Sequence, residues 1–182
     1  ALVELFLVNR MVFYGLLIAQ VVVVISLAGF IEKVSALTAG GLFLAYSLLT
    51  GLTFSVIFLV YTTSSIAATF FVTAGTFAAM SVFGFVTKRD LTSWGSFLFM
   101  GLIGIIIASV VNLFLHSSAM AMVISYIGVL LFTGLTVYDT QYIKNMALSQ
   151  PADVGSSAVR KGAIIGALKL YLDFINLFLM LL

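Results

Sequence analysis

Two carboxylates stand where a hydrocarbon-embedded chain should carry none. Asp139 lies in Val137-Tyr138-Asp139-Thr140 and Asp173 in Leu170-Tyr171-Leu172-Asp173-Phe174-Ile175-Asn176, each within a long apolar run. Inserting an Asp near the centre of a span costs about 2.5–3.5 kcal/mol, so such residues face a bundle interior or a wet cavity. The plainer reading is two buried acids that only tie neighbouring helices together. Two acids in separate spans favour one shared site instead. Paired carboxylates in a low-dielectric site cannot both ionise cheaply, so a proton is shared between them. Losing that proton adds charge, favours a cation and changes the contacts between two helices, which is a physical route to a pH-sensitive cation path. Hard cations such as calcium prefer carboxylate and carbonyl oxygens; no EF-hand loop is present.

Around Asp173 the sequence carries a polar stripe. Gly166, Lys169, Asp173 and Asn176 recur at spacings of three and four, which is one helical face. That face cannot favour lipid, so the last span is expected to be the central or pore-lining helix. Ser125, Gly128, Thr136 and Asp139 lie close to one stripe of the preceding span. Lys169, four residues before Asp173, can pair with it or extend to the membrane surface; both remain open. Asp173 sits about ten residues into its span, ~15 Å deep, whereas Asp139 is near a span end. Direct contact between them therefore requires the last helix to start later than Ala163 or to bend. Other chemistry finds no support. There is no cysteine, His116 is the single histidine and reads as a solvated turn residue, and no zinc-protease helix, phosphate loop or hydrolase elbow occurs.

The elements that must position these residues follow from composition. Of 182 residues, 63% are hydrophobic and 8% charged, against about 25% charged in a soluble domain; the mean hydropathy is +1.29. Six spans are expected: Met11 to Phe30, Thr38 to Tyr61, Ile66 to Thr87, Trp94 to Leu115, Ala119 to Gln141 and Ala163 to Leu182. None alternates polar and apolar residues as barrel strands do, so all are helices. The turns between them are short except for Tyr142 to Gly162, which holds the single proline, Pro151. The fold class is therefore all-α, a polytopic transmembrane helical bundle forming one domain over residues 1–182. Frequent in-span glycines read as close-packing positions, with Gly162 and Gly166 on one contact face, and Trp94 reads as an interface anchor. Lys33, Lys88, Arg89, Lys144, Arg160 and Lys161 fall on one side and Arg10 alone on the other. The positive-inside rule puts the first side in the cytoplasm, and residue 1 and the C-terminus on the opposite side. A net charge of +2 is too small to suggest nucleic-acid binding. Ala1 is not a start methionine and Leu182 ends inside an apolar run, so the chain is expected to be part of a longer one.

The segment from Leu170 to Phe178 resembles the last-span signature of the transmembrane BAX inhibitor motif family, also called the Bax inhibitor family. Thr136-Val137-Tyr138-Asp139-Thr140-Gln141 looks like its sixth-span motif, and Thr87-Lys88-Arg89-Asp90-Leu91 like its mid-chain cytoplasmic turn. The resemblance covers nearly the whole chain and is nearest the bacterial inner-membrane branch. It implies seven helices, six of them visible here with the first family span absent, and a last helix surrounded by the others. It also implies a pH-sensitive calcium leak in which Asp139 and Asp173 form the proton-sensing pair and contact calcium, with no other cofactor. Lys169, Asn176, Thr136 and Lys33 are the candidate partners of the pair. Some bacterial members carry a basic residue at the end of the second family span; here Phe30-Ile31-Glu32-Lys33 offers Lys33. An acidic residue of that span corresponds to Gln20, and Lys169 replaces a residue that is more often small and polar.

Two other functions fit a non-enzymatic or enzymatic alternative. A non-transporting regulator would bind lipids and another membrane protein, such as a quality-control protease, through Tyr142 to Gly162. An intramembrane aspartyl protease would also use two span aspartates, but Leu170-Tyr171-Leu172 before Asp173 lacks the glycine that lets a substrate backbone approach. A proton-coupled transporter is a further possibility for the same pair.

Overall fold

The computed structural model describes residues 10–149 and 155–182; Ala1 and Pro151 lie outside them. The chain is an all-α multi-pass membrane protein. Its helices are α1 (Arg10–Phe30), α2 (Ala36–Phe54), α3 (Ile57–Val60), α4 (Thr63–Val86), α5 (Thr92–Leu115), α6 (Ser118–Leu148) and α7 (Ser156–Leu181). Polar side chains fix the helix starts. The Ser35 hydroxyl accepts from the Thr38 N–H at 3.0 Å and the Ser117 hydroxyl accepts from the Met120 N–H at 3.3 Å, each satisfying a donor that the first helical turn leaves free. The exposed Asp90 carboxylate accepts from the Thr92 hydroxyl at 2.6 Å and from its N–H at 2.9 Å. Those bonds hold the Asp90 carboxyl below the usual carboxylate range. The turn is thus firmest at neutral pH and loosens only as pH falls through that lowered value.

Among the described residues five spans are long and apolar enough to cross a membrane: Ala36–Val60, Thr63–Val86, Thr92–Leu115, Ser118–Leu148 and Ser157–Leu181. The first expected span is the helix α1, whose 21 residues rise about 31 Å against a core of about 30 Å. The second expected span is broken into α2 and α3. The Ser55 hydroxyl bonds the Leu52 carbonyl at 2.7 Å, and the Ser55 N–H is shared between the Gly51 and Leu52 carbonyls, so the hydrogen bonds tighten there by one residue. Two helices also overrun their apolar windows by a full turn or more. Helix α6 continues past Gln141 to Leu148 and α7 begins at Ser156 rather than Ala163. Hydropathy marks the bilayer, not the helix end, and Lys144, Asn145, Arg160 and Lys161 are competent helix residues. The expected loop from Tyr142 to Gly162 is therefore largely helical.

The surface is apolar and the interior carries the polar groups. Phe71, Phe114 and Leu130 are exposed, while Thr50, Thr73, Thr136, Asp139, Gln141 and Asp173 are buried. This is the distribution expected where lipid is the solvent.

The chain divides into two compact units. In the first, α1 packs on α2; the Gln20 amide donates to the Thr53 hydroxyl at 2.5 Å and the Thr50 hydroxyl donates back to Gln20 at 3.3 Å. The second runs from Ala67 to the end of α6 and includes Gly166–Leu182 of α7. There α5 packs on α6, and Leu98, Ile105 and Leu131 are the buried centre of an apolar cluster. Within this unit α7 buries Leu168, Asp173, Leu177 and Phe178, and Phe174 meets Phe70 and Phe77 of α4 edge to face at 5.8 and 5.4 Å. The burial of Asp173 keeps the polar stripe of α7 off the surface, as its composition requires.

Close backbone approach sets where α6 can stand. A Cβ on Gly84 of α4 would lie 2.5 Å from the Val137 carbonyl oxygen of α6 and 3.1 Å from Thr140 Cβ, whereas one on Gly75 would meet nothing. Gly84→Ala is therefore expected to destabilise the protein by about 1–3 kcal/mol through overpacking. Gly75→Ala should be neutral or slightly stabilising, by about 0.5–1 kcal/mol. Thermal unfolding in detergent micelles checks both.

Candidate functional site

Two glycines set the register of α6 against α7. A Cβ on Gly166 of α7 would touch the Ile143 side chain at 3.1 Å, and a Cβ on Gly128 of α6 would collide with Met180 Sδ at 2.6 Å. Counting along the antiparallel helices from these contacts puts Asp139 level with Lys169, and Asp173 level with Thr136. The two carboxylates are thus one helical turn apart in depth, about 5–6 Å along the axis.

That offset decides the pairing. Lys169 Nζ donates to Asp139 Oδ1 at 2.7 Å and lies 4.7 Å from the centre of the Tyr142 ring. Lys169 is a partner of the pair, as expected, but it bonds the acid of the facing helix rather than Asp173 or the membrane surface. Helical side chains lean toward their own N-terminus, so the Lys169 stem points away from Asp173 and toward the level of Asp139. The Asp139 carboxylate is buried, and about a third of the lysine side chain remains accessible.

Asp173 has no such partner. It is 4% exposed, and its Oδ2 makes no hydrogen bond among the described residues. It lines a cavity of about 390 Å³ together with Asp139, Lys169, Asn176 and Tyr138. Asn176 turns its amide donor to the Leu172 carbonyl at 2.8 Å. Thr136 is fully buried and donates to the Phe132 carbonyl at 2.8 Å, so it supports the helix beside the pair without bonding it. Lys33 lies in the first unit, with its ammonium 5.3 Å from the centre of the Phe30 ring. His116 takes the left-handed C-cap position of α5, at φ 50°, as a turn residue would. Among the described residues no three His, Cys, Asp or Glu side chains come together.

Two participants escape the stripe argument. Gln141 is buried and clamps the turn before α5, accepting from the Leu91 N–H at 2.9 Å and donating to the Arg89 carbonyl at 2.8 Å. Tyr142 lies under the Lys169 ammonium. Both follow Asp139 within one turn of α6, and their spacing of two and three residues is the only signal for them.

The whole chain, residues 1–182, matches the family model described as inhibitor of apoptosis-promoting Bax1. It is 56% identical over 182 residues to the inner membrane protein YbhL of Escherichia coli strain K12, covering all of this chain and 77% of that protein. A protein of Borreliella burgdorferi is 51% identical over 174 residues, 96% of this chain and 74% of its own. A membrane protein of Streptococcus pyogenes serotype M6 is 41% identical over 177 residues, 97% and 75% respectively.

Removing one partner of the Lys169–Asp139 pair strands a buried carboxylate or an unpaired ammonium. Lys169→Met should cost about 1–3 kcal/mol of stability. The double variant Asp139→Asn with Lys169→Met should recover much of that loss, giving a coupling near 1 kcal/mol because the lysine is partly solvated. Unfolding of the four proteins in detergent measures it; additive losses would show that the pair is not coupled.

Proposed function

The chain belongs to the Bax inhibitor family, and we propose that within it this multi-pass inner membrane protein is a passive, pH-sensitive calcium leak gated by Asp139 and Asp173. The observation that carries this reading is Asp173 Oδ2, buried and unbonded, in a cavity shared with a second carboxylate and an amide. A buried acceptor without a donor either holds a proton or meets a cation. Proton and cation compete for the same oxygens, so acid closes the site and base opens it to the ion. Calcium is the permeant ion here, not a resident one: two carboxylates with Asn176 offer too few hard ligands to trap it. Deprotonation loosens the hold between α6 and α7 by adding repulsion that Lys169 offsets on one side only. The basic side with Lys88, Arg89 and Lys144 faces the cytoplasm by the excess of positive charge, which leaves the C-terminus on the other side.

The alternative is a regulator that holds another membrane protein. It is supported by a polar cavity of about 460 Å³ at the overrunning end of α6, lined by Thr92, Gln141, Asn145 and Ser149 among others. An aspartyl protease fits less well. Its two carboxylates must share one attacking water, whereas Asp139 is taken up by Lys169 and stands a turn away from Asp173.

Reconstitution in liposomes loaded with a calcium dye tests the reading. Calcium flux should rise as pH is raised and should lose that dependence in Asp173→Asn and Asp139→Asn. Absence of flux, or flux unchanged in both variants, sinks the leak. Capture of a membrane protein that depends on residues 142–149, without flux, would favour the regulator.

A further inference from the structure

A second cavity of the same unit is lined by the same three helices as the carboxylate cavity. It lies at the His116 end, holds about 520 Å³, and is bounded by Ser109 and Asn112 of α5, Ser118 and Ser125 of α6, and Leu179 and Met180 of α7, with His116 at the turn. The Asn112 side-chain oxygen Oδ1 accepts from the Ser117 N–H at 3.0 Å and the Ser117 hydroxyl caps Met120. The donors of that turn are thereby used internally, and the remaining lining is hydroxyl-rich.

What separates the two cavities is short and wholly apolar. On α7 the inner cavity ends at Asn176 and the outer begins at Leu179, a rise of roughly 4–5 Å; on α5 and α6 the gaps Leu102 to Ser109 and Ser125 to Phe132 rise roughly 10 Å. This seam contains buried Ile105 and Leu131, with Ile124 and Met180 packed against them. Met180 closes it by laying its thioether on Gly128, where a Cβ would be only 2.6 Å from the sulfur. A narrow apolar constriction between two chambers that each hold a few polar groups excludes water and ions until it widens. An unbranched methionine can widen it by changing rotamer alone.

We propose that the outer cavity is the second mouth of the cation path, admitting a hydrated cation through its hydroxyl and amide oxygens, and that Met180 seated on Gly128 is the residue that closes the passage. The assignment rests on the leak reading and adds its route: between α5, α6 and α7, from Ser125 past Met180 to Asp173.

The chain has no cysteine, so one introduced thiol can be addressed alone. Full-length protein in calcium-dye liposomes is compared as Met180→Ser, Met180→Leu and Ser125→Cys, the last before and after a charged methanethiosulfonate reagent. Met180→Ser should raise flux several-fold at fixed pH, Met180→Leu should keep it near wild type, and modifying Ser125→Cys should lower it several-fold. Should Met180→Ser fail to fold, the Ser125→Cys modification decides. Flux insensitive to that modification and to Met180→Ser, yet still abolished by Asp173→Asn, places the route elsewhere and overturns this proposal alone. Flux indifferent to Asp173→Asn as well overturns the leak.

Discussion

A carboxylate in hydrocarbon must be neutralised, and among the described residues Lys169 is the cation that meets one of the two carboxylates. The 2.7 Å contact from Lys169 to Asp139 is the interaction around which the second unit is arranged. It gives the lysine to the shallower acid and leaves Oδ2 of the deeper one, Asp173, without a hydrogen-bond partner among the described residues. Had Lys169 bonded Asp173 instead, the same cavity would hold Asp139 as its unpaired buried carboxylate. The one-turn offset between the acids, fixed where Gly166 meets Ile143 and Gly128 meets Met180, is what makes the two residues unequal.

Much of this was legible from residue type and spacing. Apolar runs of span length identify the crossing helices, and the three-and-four stripe of Gly166, Lys169, Asp173 and Asn176 marks the face of the last helix that buries Asp173. The helix overruns at Leu148 and Ser156 were hidden because hydropathy reports the solvent around a helix and not its hydrogen bonds. The break at Ser55 was hidden for a related reason: serine hydroxyls rearrange a backbone locally without altering its polarity.

The partner of Lys169 could not be read from one strand of sequence. Spacing along α7 favours Asp173, and only the register between helices, set by two glycines and the side chains that fill them, favours Asp139. Gln141 shows the same limit. A glutamine beside an aspartate in a span end reads as part of a polar cluster, yet its bonds go 50 residues back along the chain to the turn that starts α5. Contacts of that separation are a property of the folded arrangement, where a buried amide must find both a donor and an acceptor.

The contact at Gly84 divides the labour between helices mechanically. Backbone presses on backbone there, a carbonyl oxygen against the place a Cβ would fill, and a close-packed main chain has no rotamer with which to yield. The contacts of α7 are of another kind: a thioether tip, an isoleucine methyl and the edges of phenyl rings. Helix α6 therefore acts as a fixed post carrying Asp139, and α7 as a rod sleeved in deformable bearings. Any stroke that separates the two acids is travelled by the last helix, while its neighbour keeps the datum from which the displacement is measured.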